Sequence, residues 1–229
     1  MVINDLWQEL ILTLDFQTPL CGGVPRQDDI VRKWVEVRAA SEADLRRRKE
    51  AGETLRTLPE IVDETILTIE PPPMDVEEEI KKAWVGFQSD SSGLFVRGAN
   101  LRAHLKDCAQ VLAPYYKRKG IGNFKSKLAN ATYVKEDRLT IMRPDGKFVD
   151  APDGNRDVTM NVMTMQGPRT CLKRVDYVDP ARLIATVQLL VVGEINRDHL
   201  VTLLEYGKVH GFGQDRSLQF GRYNYTLGE

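Results

Sequence analysis

The 229-residue sequence predicts an α+β fold: a β-α-β-β-α-β core with a large helical or hairpin insertion after the first strand. Three observations predict it. The chain opens on "QELILTLDF", where Leu10, Leu12, Leu14 and Phe16 alternate with Ile11, Thr13 and Asp15, the period of a half-buried strand. Far downstream, "ARLIATVQLLVV" (181–192) is β-rich and nearly all apolar, as a central strand should be. Between and after these, "GANLRAHLKDCAQVL" and "NRDHLVTLLEYG" carry helical periodicity, so helices and strands interleave.

Each element has its own local reason. After the first strand, "TPLCGGVPRQDD" (18–29) is broken by two prolines and a Gly-Gly pair, and is predicted as a loop. "SEADLRRRKEAGETLR" (41–56) has capping-box spacing at Ser41 and Asp44 but is polar nearly all round, so it protrudes or meets a partner. The prolines 71–73 stop the chain stiffly, and Asp75 then caps a narrow stripe of Val76, Ile80 and Trp84. Residues 20–90 therefore read as an insertion, and residues 1–19 with 91–229 as the core. A short strand at Leu94 to Val96 leads through Arg97-Gly98 into a helix with Leu101, Leu105, Cys108 and Leu112 on one face, ended by Pro114.

"KRKGIGNFKSK" follows as a basic loop, "TYVKEDRLTIM" as one strand, and "VTMNVMTMQGPRTCLKRVDYV" as a strand interrupted at Gly167-Pro168. The last helix is capped by Asn196 and closed by Gly207, and "SLQFGRYNYTL" ends on alternating Tyr223, Tyr225 and Leu227. The order is that of the split, ferredoxin-like arrangement also used by RNA-recognition domains.

Composition narrows the function classes. At 42% hydrophobic, the chain can bury one substantial core with an appendage. No apolar run reaches the ~18 residues of a membrane span, and "MVINDLWQEL" lacks the regions of a signal peptide. Cys21, Cys108 and Cys171 are scattered, which suggests neither a metal site nor a disulfide framework. A cytoplasmic protein with no cofactor is expected. The net charge of −1 hides a polarity: residues 36–90 hold fourteen Asp/Glu against eight Lys/Arg, while residues 97–143 hold eleven Lys/Arg against three Asp/Glu. The second region suits a polyanion and the first repels one, so 36–90 is expected to serve self-association or a protein partner.

The segment "GFGQDRSLQFGRY" lies between the last helix and the last strand. It resembles the C-terminal glycine-rich loop of the repeat-associated mysterious protein (RAMP) superfamily, the ferredoxin-like backbone subunits and guide-processing nucleases of CRISPR systems. "LTLDFQTPLCGG" is similar to that family's opening strand and its Thr-Pro-Leu turn, and "LFVRGANLRAHLKD" to its strand leading into the first helix. The matches anchor 10–23, 94–107 and 207–223. Around "MTMQGPR" and the C-terminus the chain also looks similar to uncharacterised proteins of bacterial viruses. The resemblance implies a prokaryotic or virus-encoded protein that binds single-stranded RNA or DNA.

The residues supply a physical basis for that expectation. Gly211 and Gly213 would let backbone approach phosphates closely, with Arg216 and Arg222 adding charge-assisted contacts. In "YYKRKGIGNFKSK", Phe124 and two tyrosines are interleaved with Lys117, Arg118, Lys119, Lys125 and Lys127, as stacking and phosphate binding on a single strand require. Arg97 and Arg102 start a helix, whose N-terminal N–H groups favour anions.

For catalysis the candidates are His104 and His210 as general acid or base, and Asp28 or Asp29 in the loop after the first strand, which the family resemblance makes a cleavage position in certain subunits. None is tied to a second group by spacing. The expected function is thus a non-catalytic, backbone-reading module that assembles along a strand. The alternatives are a metal-independent RAMP-type ribonuclease and a virus structural or inhibitory protein that binds a host protein through its acidic insertion.

Overall fold

A computed structural model describes residues 6–25, 84–164 and 167–228. The protein is mixed α+β, and its described residues fall into two compact units. The first holds 6–24, 85–156 and 175–228; the second holds Pro25, Trp84, 157–164 and 167–174. The predicted helix 41–56, the Val76–Ile80 stripe, Asp28 and Asp29 lie outside the described residues.

The alternating opening forms strand β1 (Trp7–Phe16), and the apolar run at 182–190 forms β11 (Arg182–Leu190). They pair antiparallel along their length, from Trp7 opposite Leu190 to Asp15 opposite Arg182. Strand β12 (Tyr223–Gly228) takes the other edge of β1, and β7 (Thr132–Val134) takes the other edge of β11. The resulting four-stranded sheet has the order β12-β1-β11-β7 and is antiparallel throughout.

The period of two sends Leu10, Leu12, Leu14 and Phe16 of β1, with Leu183, Ala185, Val187 and Leu189 of β11, into one buried cluster. Helix α1 (Gly98–Arg118) adds Leu101, Leu105 and Cys108, and helix α3 (Arg197–His210) adds Leu200, Leu203 and Leu204. The opposite face keeps Ile11 and Ile184 exposed.

Smaller ladders extend the first unit. β5 (Gln88–Asp90), β6 (Gly93–Arg97) and β8 (Arg138–Thr140) form a three-stranded antiparallel sheet that buries Leu94, Phe95 and Leu139. The last residues of β10 (Gly167–Val178) pair with β2 (Leu20–Cys21) and with β4 (Val85–Gly86), and β3 (Val24–Pro25) follows β4 in the same sheet. Both described flanks of the predicted insertion are therefore strands, β2 and β4, of the first unit. In the second unit, Arg174 grips Asp157 through two nitrogens, at 2.8 and 3.1 Å, and its guanidinium lies 5.6 Å from the Trp84 ring centre. Among the described residues no helix is long and apolar enough to cross a membrane.

Four local expectations are corrected. Pro114 lies inside α1, which runs on to Arg118. The last turn is held because Tyr116 is buried and stacked on Phe124 at 3.9 Å; the helix stops where Gly120 adopts φ 89° and Ile121 N–H returns to the Tyr116 carbonyl. The predicted basic loop is half helical, as α2 (Phe124–Ala131).

"TYVKEDRLTIM" is two strands in different sheets, β7 and β8, because the Glu136 carboxylate between them takes the Thr186 N–H at 2.8 Å and breaks the ladder. "VTMNVMTMQGPRTCLKRVDYV" is two paired strands, β9 (Gly154–Thr164) and β10, rather than one interrupted strand.

Candidate nucleic-acid interface

The glycine-rich loop begins at the end of α3. Asn196 caps this helix by accepting the His199 N–H, while His199 Nδ1 accepts the Asn196 N–H, so His199 is a capping group. Gly207 lies within the helix and does not close it. A Cβ there would stand 2.3 Å from the Tyr223 hydroxyl and 2.8 Å from His104 Nε2, so glycine is what lets α3 approach β12 and α1. Gly211, with φ 86°, ends the helix instead, its N–H on the Gly207 carbonyl.

From there the loop folds on itself and onto the turn after β1. Phe212 N–H reaches the Gly221 carbonyl at 2.8 Å, Gly221 N–H the Pro19 carbonyl at 3.0 Å, and Arg222 N–H the Thr18 hydroxyl at 2.9 Å. The Thr18 hydroxyl donates in turn to the Gln219 carbonyl. Thus "TPL" and the glycine-rich segment, about two hundred residues apart in sequence, form one substructure.

Gly213 and Gly221 also have positive φ, and the close approach each permits is to the protein's own backbone. Added Cβ atoms would lie 3.0 Å from the Cys21 carbonyl oxygen and 1.8 Å from that of Phe212. Arg222 is half-buried at the base of this loop.

Arg216 points to α1, where Asp107 Oδ2 accepts from its Nη1 at 2.6 Å. His210 Nε2 stands 3.0 Å from the same oxygen and 2.8 Å from the same Nη1, and Tyr206 closes the cluster at His210 Nδ1. The Arg216 hydrogen bond, ahead of that from His210, holds the Asp107 carboxyl below the usual carboxylate range. This cluster borders an open groove of about 490 Å³ lined by His210 and residues 213–217.

His104, by contrast, is 5% exposed, bonded to the Tyr223 hydroxyl at 2.9 Å and edge-on to Phe212. Burial, aided by His210 and Arg216, pushes its pKa down to about 3, so it is a neutral core residue that no substrate reaches. The Cys108 thiol beside it is pushed up to about 12 by the same burial and is unreactive.

The basic stretch forms a second surface where α1 meets α2. Lys117, Arg118 and Lys125 are exposed and, among the described residues, make no ion pair. Lys119 lies over the exposed Tyr115 ring at 4.7 Å, and its hydrogen bond to that tyrosine raises its pKa. Two members of the predicted group are occupied otherwise: Phe124 is 1% exposed, and Lys127 is bonded to Glu194 at 2.5 Å. Tyr115 is the aromatic that faces out, and its place one turn before Lys119 was the available sequence signal.

The remaining candidates are apart from both surfaces. Arg97 donates to Gln88 at 2.9 Å, and Arg102 lies over Tyr133 and donates to the Ala129 carbonyl. Eleven residues separate Asp107 from Arg118, about 16 Å along a helix rising 1.5 Å per residue, so groove and basic corner are distinct.

No protein-family model matches the chain, and no curated protein matches its sequence. Among solved structures it is similar to a chain in the cryo-EM structure of the Type III-B Cmr-beta bound to cognate target RNA, with TM-score 0.42 and 6% identity over 97% of its length. It spans 61% of that chain.

Proposed function

We propose that this protein is a non-catalytic module that binds single-stranded nucleic acid, RNA or DNA, through the sugar-phosphate backbone. The observation that carries this reading is the α1–α2 corner. Among the described residues Lys117, Arg118 and Lys125 stand exposed without an acid to neutralise them, and Lys119 sits on the outward-facing Tyr115. Unpaired cations around an exposed ring suit a strand whose phosphates need charge and whose bases need a face.

A ferredoxin-like core of the RAMP type is part of the same reading. The sheet order β12-β1-β11-β7, with β1 between β11 and β12, supports it, as does the loop's closure onto the Thr18-Pro19 turn. Residues 36–90, acidic in sum, are assigned to self-association or to a protein partner. The setting that follows from the family resemblance is the cytoplasm of a prokaryotic cell, with a virus as one source of the gene.

The test is a titration of labelled single strands against salt. Wild type should bind with little sequence preference, and log K should fall steeply with log salt. Replacing Lys117, Arg118, Lys119 and Lys125 by Ala should flatten the slope by roughly 0.7 for each phosphate that is no longer neutralised. An unchanged slope would move the interface elsewhere.

One observation favours a second reading, metal-independent RNA cleavage: the His210–Asp107 pair at 3.0 Å beside an open groove, a geometry in which an imidazole can act as general acid or base. Clean cutting of labelled RNA in the presence of EDTA, abolished in His210→Ala, would establish it. Intact RNA after prolonged incubation keeps the non-catalytic reading.

A further inference from the structure

The four-stranded sheet ends on two unlike edges. At one, β7 is three residues long and charge surrounds it. The Glu136 carboxylate takes the Thr186 N–H at 2.8 Å, Lys135 is bonded to Glu9, and Arg102 covers the Tyr133 ring. Short strands and charged flanks are how proteins keep an edge from pairing with another chain. At the other edge, β12 reads "YNYTLG", six residues in unbroken register with β1. It has no charge, no proline and no bulge, so none of those devices protects it.

The ladder fixes which amides of β12 look outward. Gln17 N–H bonds the Arg222 carbonyl, and the register continues with Asp15 opposite Asn224 and Thr13 opposite Thr226. Hydrogen-bonded pairs alternate along an antiparallel ladder. Asn224, Thr226 and Gly228 therefore direct their N–H and C=O groups to β1, and Tyr223, Tyr225 and Leu227 direct theirs away. Arg197 agrees with this, since its Nη2 reaches the Leu227 carbonyl from α3 at 3.0 Å. Tyr223 is buried, whereas Tyr225 and Leu227 are half-buried. The Tyr225 N–H and C=O and the Leu227 N–H have no partner among the described residues.

We propose that β12 is a dimer interface, pairing antiparallel with β12 of a second copy across a two-fold axis at Thr226. This goes beyond the strand-binding reading and stands without it. In this register Tyr225 faces Leu227 of the second copy, and the same pair recurs across the axis. Each pair exchanges two backbone hydrogen bonds, with Arg197 kept on the second lone pair of the Leu227 carbonyl.

Charge selects a second copy as the occupant. Each edge carries one cation at the level of Leu227, Arg197, and one anion at the level of Tyr225, Glu205, which accepts the Tyr225 hydroxyl at 2.9 Å. Setting Tyr225 against Leu227 brings Glu205 of each copy to the level of Arg197 of the other, while Glu205 keeps its own Lys208. On the open face two uncharged, exposed threonines meet at the axis, with no like charges opposed. The two four-stranded sheets then run on as one.

The test is the molar mass of the full chain in solution, measured by light scattering without nucleic acid over a range of concentrations. Wild type should reach twice the mass of one chain. Thr226→Lys keeps the ladder to β1, which uses backbone groups, but opposes two lysines at the axis. It should weaken dimerisation about tenfold or more, and Thr226→Glu should do the same. Mixed in equal amounts, the two variants should restore the dimer, because unlike charges then meet. Ile184→Lys, exposed on the same face two strands inward, should change nothing.

Hydrogen exchange gives a second readout. The Tyr225 and Leu227 amides should exchange about tenfold faster in Thr226→Lys than in concentrated wild type, while the Thr226 amide, bonded to β1, stays protected in both. A wild type that keeps the mass of one chain at every concentration overturns the proposal. So does a dimer that both Thr226 variants leave intact, which puts the contact elsewhere. A dimer dissolved by Ile184→Lys means that the sheets stack face to face, and overturns the edge pairing. A dimer that forms only when a single strand is added also overturns it, and leaves the strand-binding reading in place.

Discussion

In the loop 211–222, three glycines hold positive φ, three hydrogen bonds tie the segment to the Thr18-Pro19 turn, and Arg216 is shared by Asp107 and His210. In the corner 117–127, Gly120 has a positive φ with nothing near it, and three of the cations have no partner among the described residues. Both stretches are rich in glycine and in basic side chains. One uses them to hold itself together, and the other leaves them to solvent. Glycine and arginine in a motif therefore say little about a ligand until their own contacts are known. A cation already satisfied by a carboxylate must break that pair before it can bind a phosphate, whereas a free one loses only water and counterions.

The largest expected effect breaks the loop side of this comparison. Gly221→Val puts a Cβ 1.8 Å from the Phe212 carbonyl oxygen at φ 69°, where backbone must move. Left-handed strain and overpacking together should cost about 5 kcal/mol, read as a lowered midpoint in urea denaturation. The matched change at the corner, Gly120→Val, meets nothing within 4 Å and should cost only the strain of its φ, about 1–3 kcal/mol. Equal losses at the two sites would remove the distinction between a loop built on close approach and one that is merely turned.

A second effect concerns acid. His104 is neutral in the fold with a pKa of about 3, against an ordinary histidine value of 6.5. Below about pH 6.5 the unfolded chain takes up a proton that the folded one refuses, so the unfolded state gains. The stabilisation is therefore complete above pH 6.5 and is lost as pH falls from there towards 3, at up to about 1.4 kcal/mol per unit. His104→Gln keeps a partner for the Tyr223 hydroxyl and cannot charge. It should flatten stability against pH across that window in denaturant titrations, and an unaltered slope would assign the acid sensitivity to another group.

Much of this fold is legible in the sequence because period and burial act locally. β1 and β11 fall where alternation and the apolar run place them, and the Asn196 cap stands where its side chain predicts. What the sequence hides is set by distant partners. Pro114 stays inside α1 because Phe124 stacks on Tyr116 two residues further on, and Gly207 stays inside α3 because Tyr223 and His104 need its missing side chain. The candidate site divides the same way. Exposed lysines could be read from a run of basic residues, but that Phe124 is core, and that Arg216 and His210 meet Asp107 from 103 or more residues away, depends on how α1 and α3 pack.

The smallest effect sharpens the corner from within, using two lysines on one short helix. Lys125 and Lys127 differ by two residues on α2 and project about 200° apart around its axis at 3.6 residues per turn. Lys125 is exposed without an ion pair among the described residues, while Lys127 is held by Glu194 at 2.5 Å. Neither change should matter to stability. An exposed pair is worth about 0–1 kcal/mol, and removing Lys127 should stay near the lower end because both side chains keep their water. Binding should separate them: Lys125→Ala lowers the salt slope by roughly 0.7, and Lys127→Ala leaves it unchanged, because its charge is already compensated. Glu194→Ala then supplies the converse, freeing Lys127 and steepening the slope by up to the same amount. If Lys127→Ala flattened the slope as much as Lys125→Ala does, pairing to Glu194 would not decide which cations the strand uses, and the contrast between committed and free charge would fail at its simplest instance.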